Sequence, residues 1–245
     1  MQRYKLLVEY DGGPFVGWQF QKNGLSIQEV LQMAIFNLSK EKVIVTGAGR
    51  TDAGVHAFAQ VAHFDLKKKI EKSKFLPGLN RHIGNQPITI LKINKVSKKF
   101  HSRFNAKMRT YQYVIINRQS PLALEKNKAW HIRKKLDIAK IKKGAKLLLG
   151  THDFSTFRSS SCGAKSPIKT MSNISIKKNK DKIIIKFTSK SFLQQQVRSM
   201  VGCLKYLGVG KWEISNFKKS FKSKSRIKCA PPAPACGLYL SQIKY

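Results

Sequence analysis

Acidic side chains are scarce in this sequence: 12 Asp and Glu in 245 residues. They are scattered singly, and no D-x-D or E-x-x-H set is present. That absence excludes the usual carboxylate framework of a two-metal nuclease. Hydrolytic cleavage of a glycosidic bond normally needs two framed carboxylates, and no second one is framed here. Cysteine is sparse too. Cys162, Cys203, Cys229 and Cys236 contain no C-x-x-C pair, so a zinc ribbon or finger is excluded and the thiols are expected to be reduced. No phosphate-binding G-x-x-x-x-G-K-[ST] loop, dinucleotide G-x-G-x-x-G turn or G-x-S-x-G elbow occurs; Gly208-Val209-Gly210-Lys211 lacks the required spacing. No run approaches the ~18 apolar residues that span a bilayer. Met1–Tyr10 lacks the apolar core of a signal peptide, so the expected location is the cytoplasm, without membrane association.

Positive charge is what the chain has in excess. Lys and Arg number 48, giving a net charge of +36. Such a chain is drawn to polyanions, because each phosphate contact releases condensed counterions. Nucleic acid is the leading partner and an anionic membrane surface the second. The surplus is mostly lysine, which a biased genome also produces. Hydrophobic residues at 42% and charged residues at 24% are ordinary for a folded protein.

Tyr4, Leu6, Val8 and Tyr10 alternate as in a half-buried strand. Ser26-Ile27-Gln28-Glu29 reads as a capping box opening a helix with a stripe at Ile27, Val30, Leu31, Ala34, Ile35 and Leu38. Strands are expected at 43–46, 58–65, 88–96, 109–117 and 237–244, and a hairpin at 171–176 and 182–187. Helices are expected at 137–149 and, opened by Ser191 and Gln194, at 191–207. Strand runs that alternate rather than stay solidly apolar favour antiparallel or mixed sheets, the α+β class. A boundary near residue 100 gives two α+β halves, 1–100 and 101–245.

The densest chemical signal is Gly47-Ala48-Gly49-Arg50-Thr51-Asp52-Ala53-Gly54-Val55-His56-Ala57. Glycines let a backbone turn sharply or lie against a ligand. Arg50 favours the ionised form of Asp52, holding it below the usual value of about 3.9. That suits a nucleophile or charge stabiliser rather than a general acid. Taken alone, an Asp beside glycines is more often the cap of a turn or helix.

Further segments accompany the loop: Tyr10-Asp11-Gly12 with Phe15 and Gly17-Trp18-Gln19, Phe100-His101-Ser102-Arg103-Phe104, Tyr111-Gln112-Tyr113, Gly150-Thr151-His152-Asp153-Phe154 with Phe157-Arg158, Val197-Arg198-Ser199-Met200-Val201-Gly202, and Gly237-Leu238-Tyr239-Leu240. In this order they resemble the TruA family of tRNA pseudouridine synthases over nearly the whole chain. The resemblance implies two RRM-like halves with helices on one face and a basic central cleft. It implies an isomerase that needs no cofactor and no metal. Such an enzyme breaks the uridine N-glycosidic bond, turns the base and rejoins it through carbon, at positions 38 to 40 of the anticodon stem-loop. It further implies a homodimer in which one tRNA touches both subunits.

By the same resemblance Asp52 is the catalytic carboxylate, and Tyr111 lies against the target base. Arg198 sits in an apolar stripe and needs an anionic partner, for which Asp52 is the candidate; a solvated face is the alternative. Arg50 either pairs with Asp52 or fills the gap left by the flipped base. Arg103 and Arg158 are candidate phosphate ligands. His56 is expected to be structural, and 159–166 to be a loop that grips RNA. Gln194-Gln195-Gln196 and Ser199 depart from the family pattern, which often has His or Asn there. A non-catalytic RNA-binding module fits the charge equally well, but gains nothing from a carboxylate facing phosphates.

Overall fold

The computed structural model of the chain describes residues 1–68 and 71–245. In chain order the elements are β1 (Gln2–Tyr10), α1 (Ile27–Ser39), β2 (Thr46–Gly47), β3 (His56–Leu66), α2 (Lys72–Ile83), β4 (Ile88–Val96) and β5 (Met108–Asn117). Then come β6 (Trp130–Ile132), α3 (Ile138–Lys146), β7 (Gly150–Asp153), β8 (Ile168–Asn179), β9 (Lys182–Ser189), α4 (Gln196–Gly208), α5 (Ile214–Lys222) and β10 (Leu238–Lys244). Antiparallel ladders dominate, with parallel pairings of β10 on β3 and β6 on β5, so the α+β expectation holds. The chain forms two compact units, Met1–Lys107 with Tyr239–Tyr245, and Met108–Leu238.

In the first unit β1 runs antiparallel between β3 and β4, with Leu6 opposite Ala62 on one side and Ile93 on the other. Tyr4, Leu6, Val8 and Tyr10 are all buried, as their period of two requires. Ser26 and Glu29 form the expected capping box, and α1 buries Ile27, Val30, Leu31, Ala34 and Ile35. Each of the Ile, Val and Leu side chains among them contributes about 1.5–3 kcal/mol on burial. At its far edge β3 takes β2 at Ala62 and His63, and the returning β10 at His56 and Ala57.

The second unit orders its strands β5-β9-β8-β7, with β6 on the other edge of β5. Tyr113, Phe154, Phe157, Phe187 and Phe217 are fully buried in it. Helices α3 and α4 touch through Gly144, where a Cβ would stand 2.3 Å from Leu207.

Several boundaries differ from the sequence reading. Of the expected 43–46 strand only Thr46 is paired, in the two-residue strand Thr46–Gly47. The side-chain amides of Gln28 and Gln32 take the carbonyl and N–H of Val45, so helix side chains replace a ladder. Helix α4 starts at Gln196, not Ser191. Gln195 adopts φ +60°, and the Gln196 side chain accepts from Leu193 N–H instead, so the S-x-x-Q pattern caps nothing. Helix α3 ends at Lys146, short of residue 149. Helices α2 and α5 lie outside the expected set; the start of α5 is marked by Glu213 and Asn216, which form a reciprocal cap.

One clamp ties residues 98–102 to the first unit. Arg3 makes a two-pronged pair with Asp65 (2.8 and 2.7 Å) and donates to the carbonyls of Lys98 and Phe100. Behind it His63 is buried, and its Nδ1 accepts from Ser102 N–H (3.2 Å) while Ser102 Oγ donates to Thr46 O. Burial foremost, then the Arg3 charge, lowers the His63 pKa from 6.5 to about 4. A protonated Nδ1 would also oppose the Ser102 N–H. The folded state therefore binds this proton more weakly than the unfolded chain does. The contribution of neutral His63 is complete above pH 6.5 and is lost as pH falls toward about 4. NMR titration should find the His63 ring still neutral at about pH 5, with the melting temperature falling less steeply over this window in His63→Gln. A ring midpoint near 6.5 would contradict the clamp.

Candidate active site

The loop that follows β2 is held by backbone and by buried polar side chains. Ala48 N–H donates to Val61 O (2.7 Å), and the fully buried Gln60 amide donates to Gly49 O (2.8 Å). Next, Thr51 is fixed twice: its carbonyl accepts Trp18 N–H (3.0 Å), and its hydroxyl meets Tyr10 Oη (2.8 Å). Asp52 itself forms a β-bridge with Gly17, and Val55 N–H returns to Asp52 O (3.2 Å) to close the turn. Its residue is half-buried.

Three glycines make this fit possible. Gly17 has φ +117°, and a Cβ there would lie 2.7 Å from Thr51 O. At Gly12 a Cβ would stand 2.0 Å from Val55 O, and at Gly47 2.5 Å from the Trp18 indole. The segments around Tyr10–Trp18 and Gly47–His56, remote in sequence, are thus one structural unit. The sequence reading placed both in one pattern but did not identify Tyr10, Gly17, Trp18 and Gln60 as the supports of the loop. The buried alternation around Tyr10 was the one available signal.

His56 is buried under the loop, as expected of a structural histidine, with its ring stacked on Tyr239 at 4.7 Å. Nδ1 lies 2.8 Å from Asp11 Oδ1 and 3.0 Å from Gly12 N. This nitrogen serves one of them at a time: protonated it donates to Asp11, unprotonated it accepts from Gly12. Arg50 is exposed on the same loop as Asp52. Arg103 is exposed, its guanidinium 5.8 Å from the Phe104 ring, in a stretch where Phe104 is 75% exposed.

The other predicted residues lie in the second unit. Tyr111 on β5 is 9% exposed, opposite Phe187 in the ladder and edge-on to Phe192 at 5.1 Å. Arg198 is half-buried near the start of α4, and its Nε donates to Ala233 O (2.8 Å). Arg158 follows a short 3-10 turn, Ser155–Phe157, and donates to Cys162 O. The Ser159–Cys162 stretch is fastened to Gln194 by Ser159 N–H to Gln194 O (3.1 Å) and Gln194 N–H to Cys162 Sγ (3.4 Å). Of the departing positions, Ser199 Oγ accepts from Arg226 (2.7 Å) and Gln196 supports the start of its helix.

The chain matches the family model described as tRNA pseudouridine synthase over residues 6–105 and 145–245. It is 56% identical to the tRNA pseudouridine synthase A of Pelagibacter ubique (strain HTCC1062), covering all of both chains. Against the synthases A of Afipia carboxidovorans and Maricaulis maris, identities are 46% and 44% over the whole of this chain, covering 100% and 98% of theirs.

The loop geometry makes Gly17 a sensitive position. Gly17→Ala should cost about 1–3 kcal/mol from φ alone, and more from the contact with Thr51 O. Gly84, at φ +65° with no atom within 4 Å of a new Cβ, supplies the control. Calorimetry should show a clearly larger fall in melting temperature for Gly17→Ala than for Gly84→Ala; equal falls would contradict the tight seat of the loop.

Proposed function

The chain belongs to the tRNA pseudouridine synthase family, and on that basis we propose that it isomerises uridine to pseudouridine at positions 38, 39 and 40 of the anticodon stem-loop of tRNA. The observation that carries the reading is the framing of Asp52: a carboxylate on a loop anchored at Ala48, Gly49, Thr51 and Val55, in a chain with few acids and a net charge of +36. Asp52 is the catalytic carboxylate in this account.

The chemistry sets the demands. The bond from the ribose to N1 breaks, the base turns, and a bond from the ribose to C5 forms. The proton on C5 is lost and N1 gains one, so atoms and oxidation state balance and no cofactor is required. A paired uridine must first leave its stack, at a cost of a few kcal/mol. Tyr111 supplies an aromatic surface for the turned base. Arg50, Arg103, Arg158 and Arg198 bind the substrate, the last three being suited by charge and reach to phosphate or to the developing charge of the reaction. The working form is a homodimer, with one tRNA touching both subunits. A module that merely bound RNA would gain nothing from placing a carboxylate on so firmly held a loop.

Release of tritium from stem-loop RNA carrying [5-³H]uridine reports the loss of the C5 hydrogen. Asp52→Ala should release none above background, while tRNA affinity changes by less than about threefold. Unmodified uridines at 38 to 40 after treatment with the unaltered protein would sink the activity. Full activity in Asp52→Ala would sink the residue assignment alone.

A further inference from the structure

On α4, Arg198 with Gly202 and Ser199 with Cys203 are two i, i+4 pairs whose adjoining rows make up one broad face. A strap of chain, Ala230-Pro231-Pro232-Ala233-Pro234, runs along that face. Ala230 N–H donates to Cys203 Sγ (3.4 Å), and Cys229 Sγ lies 3.5 Å from the same sulfur. At Gly202 a Cβ would stand 2.1 Å from Pro231 O, so only glycine admits the strap this close. Ala233 N–H then donates to Arg198 O (2.9 Å), and Arg198 Nε donates back to Ala233 O (2.8 Å). Just before the strap, Arg226 reaches Ser199 Oγ. At its end Tyr113 Oη donates to Pro234 O (2.8 Å), with Gly237 close against the same ring. Burial holds the Tyr113 phenol protonated, as this bond requires. Three prolines restrict the backbone of the strap before it docks.

These contacts converge on one side chain. Arginine carries about 2 kcal/mol of rotamer entropy. A carbonyl bound to Nε fixes the plane of the guanidinium, and that plane decides where its two terminal nitrogens point. We propose that the 230–234 strap is the positioning element of Arg198: the Ala233 carbonyl, seated by Gly202 on the helix side and by Tyr113 on the sheet side, sets the guanidinium plane for pseudouridine formation. The inference rests on the role given to Arg198 above. Tyr113 and Gly202 act through Arg198 and do not touch the substrate.

Two variants and one spectroscopic reading test it. Tyr113→Phe removes the phenol bond and keeps the ring; Gly202→Ala forces Pro231 away from the helix. In single-turnover assays on the stem-loop each should lower kcat about tenfold or more, the range expected for a displaced catalytic group, with KM unchanged within about twofold. In ¹⁵N-arginine spectra the Arg198 Nε–H signal, assigned by its loss in Arg198→Lys, should exchange with water faster in both. If Gly202→Ala does not fold, Tyr113→Phe decides alone. Unchanged kcat with a protected Nε–H in folded variants overturns the proposal, as does a loss confined to KM. Full activity in Arg198→Lys would instead remove the role of Arg198, and the strap's function with it.

Discussion

The Trp18 N–H bond to Thr51 O, backed by the Tyr10–Thr51 hydroxyl pair, is the constraint on which the candidate site depends. A carboxylate on an exposed glycine loop would sample many positions, and each would cost reaction probability. Here the residue before Asp52 is bonded through both backbone and side chain, and Asp52 bridges Gly17. The segment that does this is itself rooted in β1, whose buried residues Tyr4, Leu6 and Val8 belong to the core of the first unit. Rigidity therefore passes from apolar burial, through two hydrogen bonds, to the loop that carries Asp52. The glycines allow that transfer, because a side chain at Gly12 or Gly17 would push the segments apart.

The few acids of this chain are used economically. Asp65 holds Arg3, Glu41 accepts the Lys67 and Lys68 amides, and Arg118 meets Asp181. Glu29, Asp137 and Glu213 cap helices, and Asp153 accepts Ser155 N–H. Backbone amides and neighbouring cations hold Glu41 below the usual carboxylate range, and the Arg3 guanidinium does the same for Asp65. A basic surface of this kind repels itself in the compact state, and carboxylates tied to backbone amides resist protonation at mildly acid pH.

Local pattern made much of this legible, and the limits are physical. The alternation in β1 and the box at Ser26 and Glu29 are encoded within a few residues, and both appear where expected. The start of α4 differs because Gln194, at cap spacing from Ser191, accepts from the Ser161 hydroxyl, and the helix begins two residues later. The return of β10 to β3 leaves no local mark, since it is a pairing across some 180 residues. Asp52 stands in a pattern of residue types and could be named from them. The Ala233 carbonyl that meets Arg198 Nε could not be named, because any residue at position 233 would supply one.

The placement of β10 has a consequence for how the molecule comes into being. The strand that pairs with His56 and Ala57 is made only after all of Met108–Leu238 has been synthesised. At roughly 5–20 residues per second, that interval lasts on the order of ten seconds. Throughout it the edge of β3 beside the candidate loop lacks its parallel neighbour, and the His56 ring lacks the Tyr239 on which it stacks. A nascent chain thus holds the signature loop long before it holds the support beneath it. The part of the first unit beside the candidate loop is completed only after the second unit has been synthesised, so a product truncated before Tyr239 would carry every residue of that loop without its finished seat.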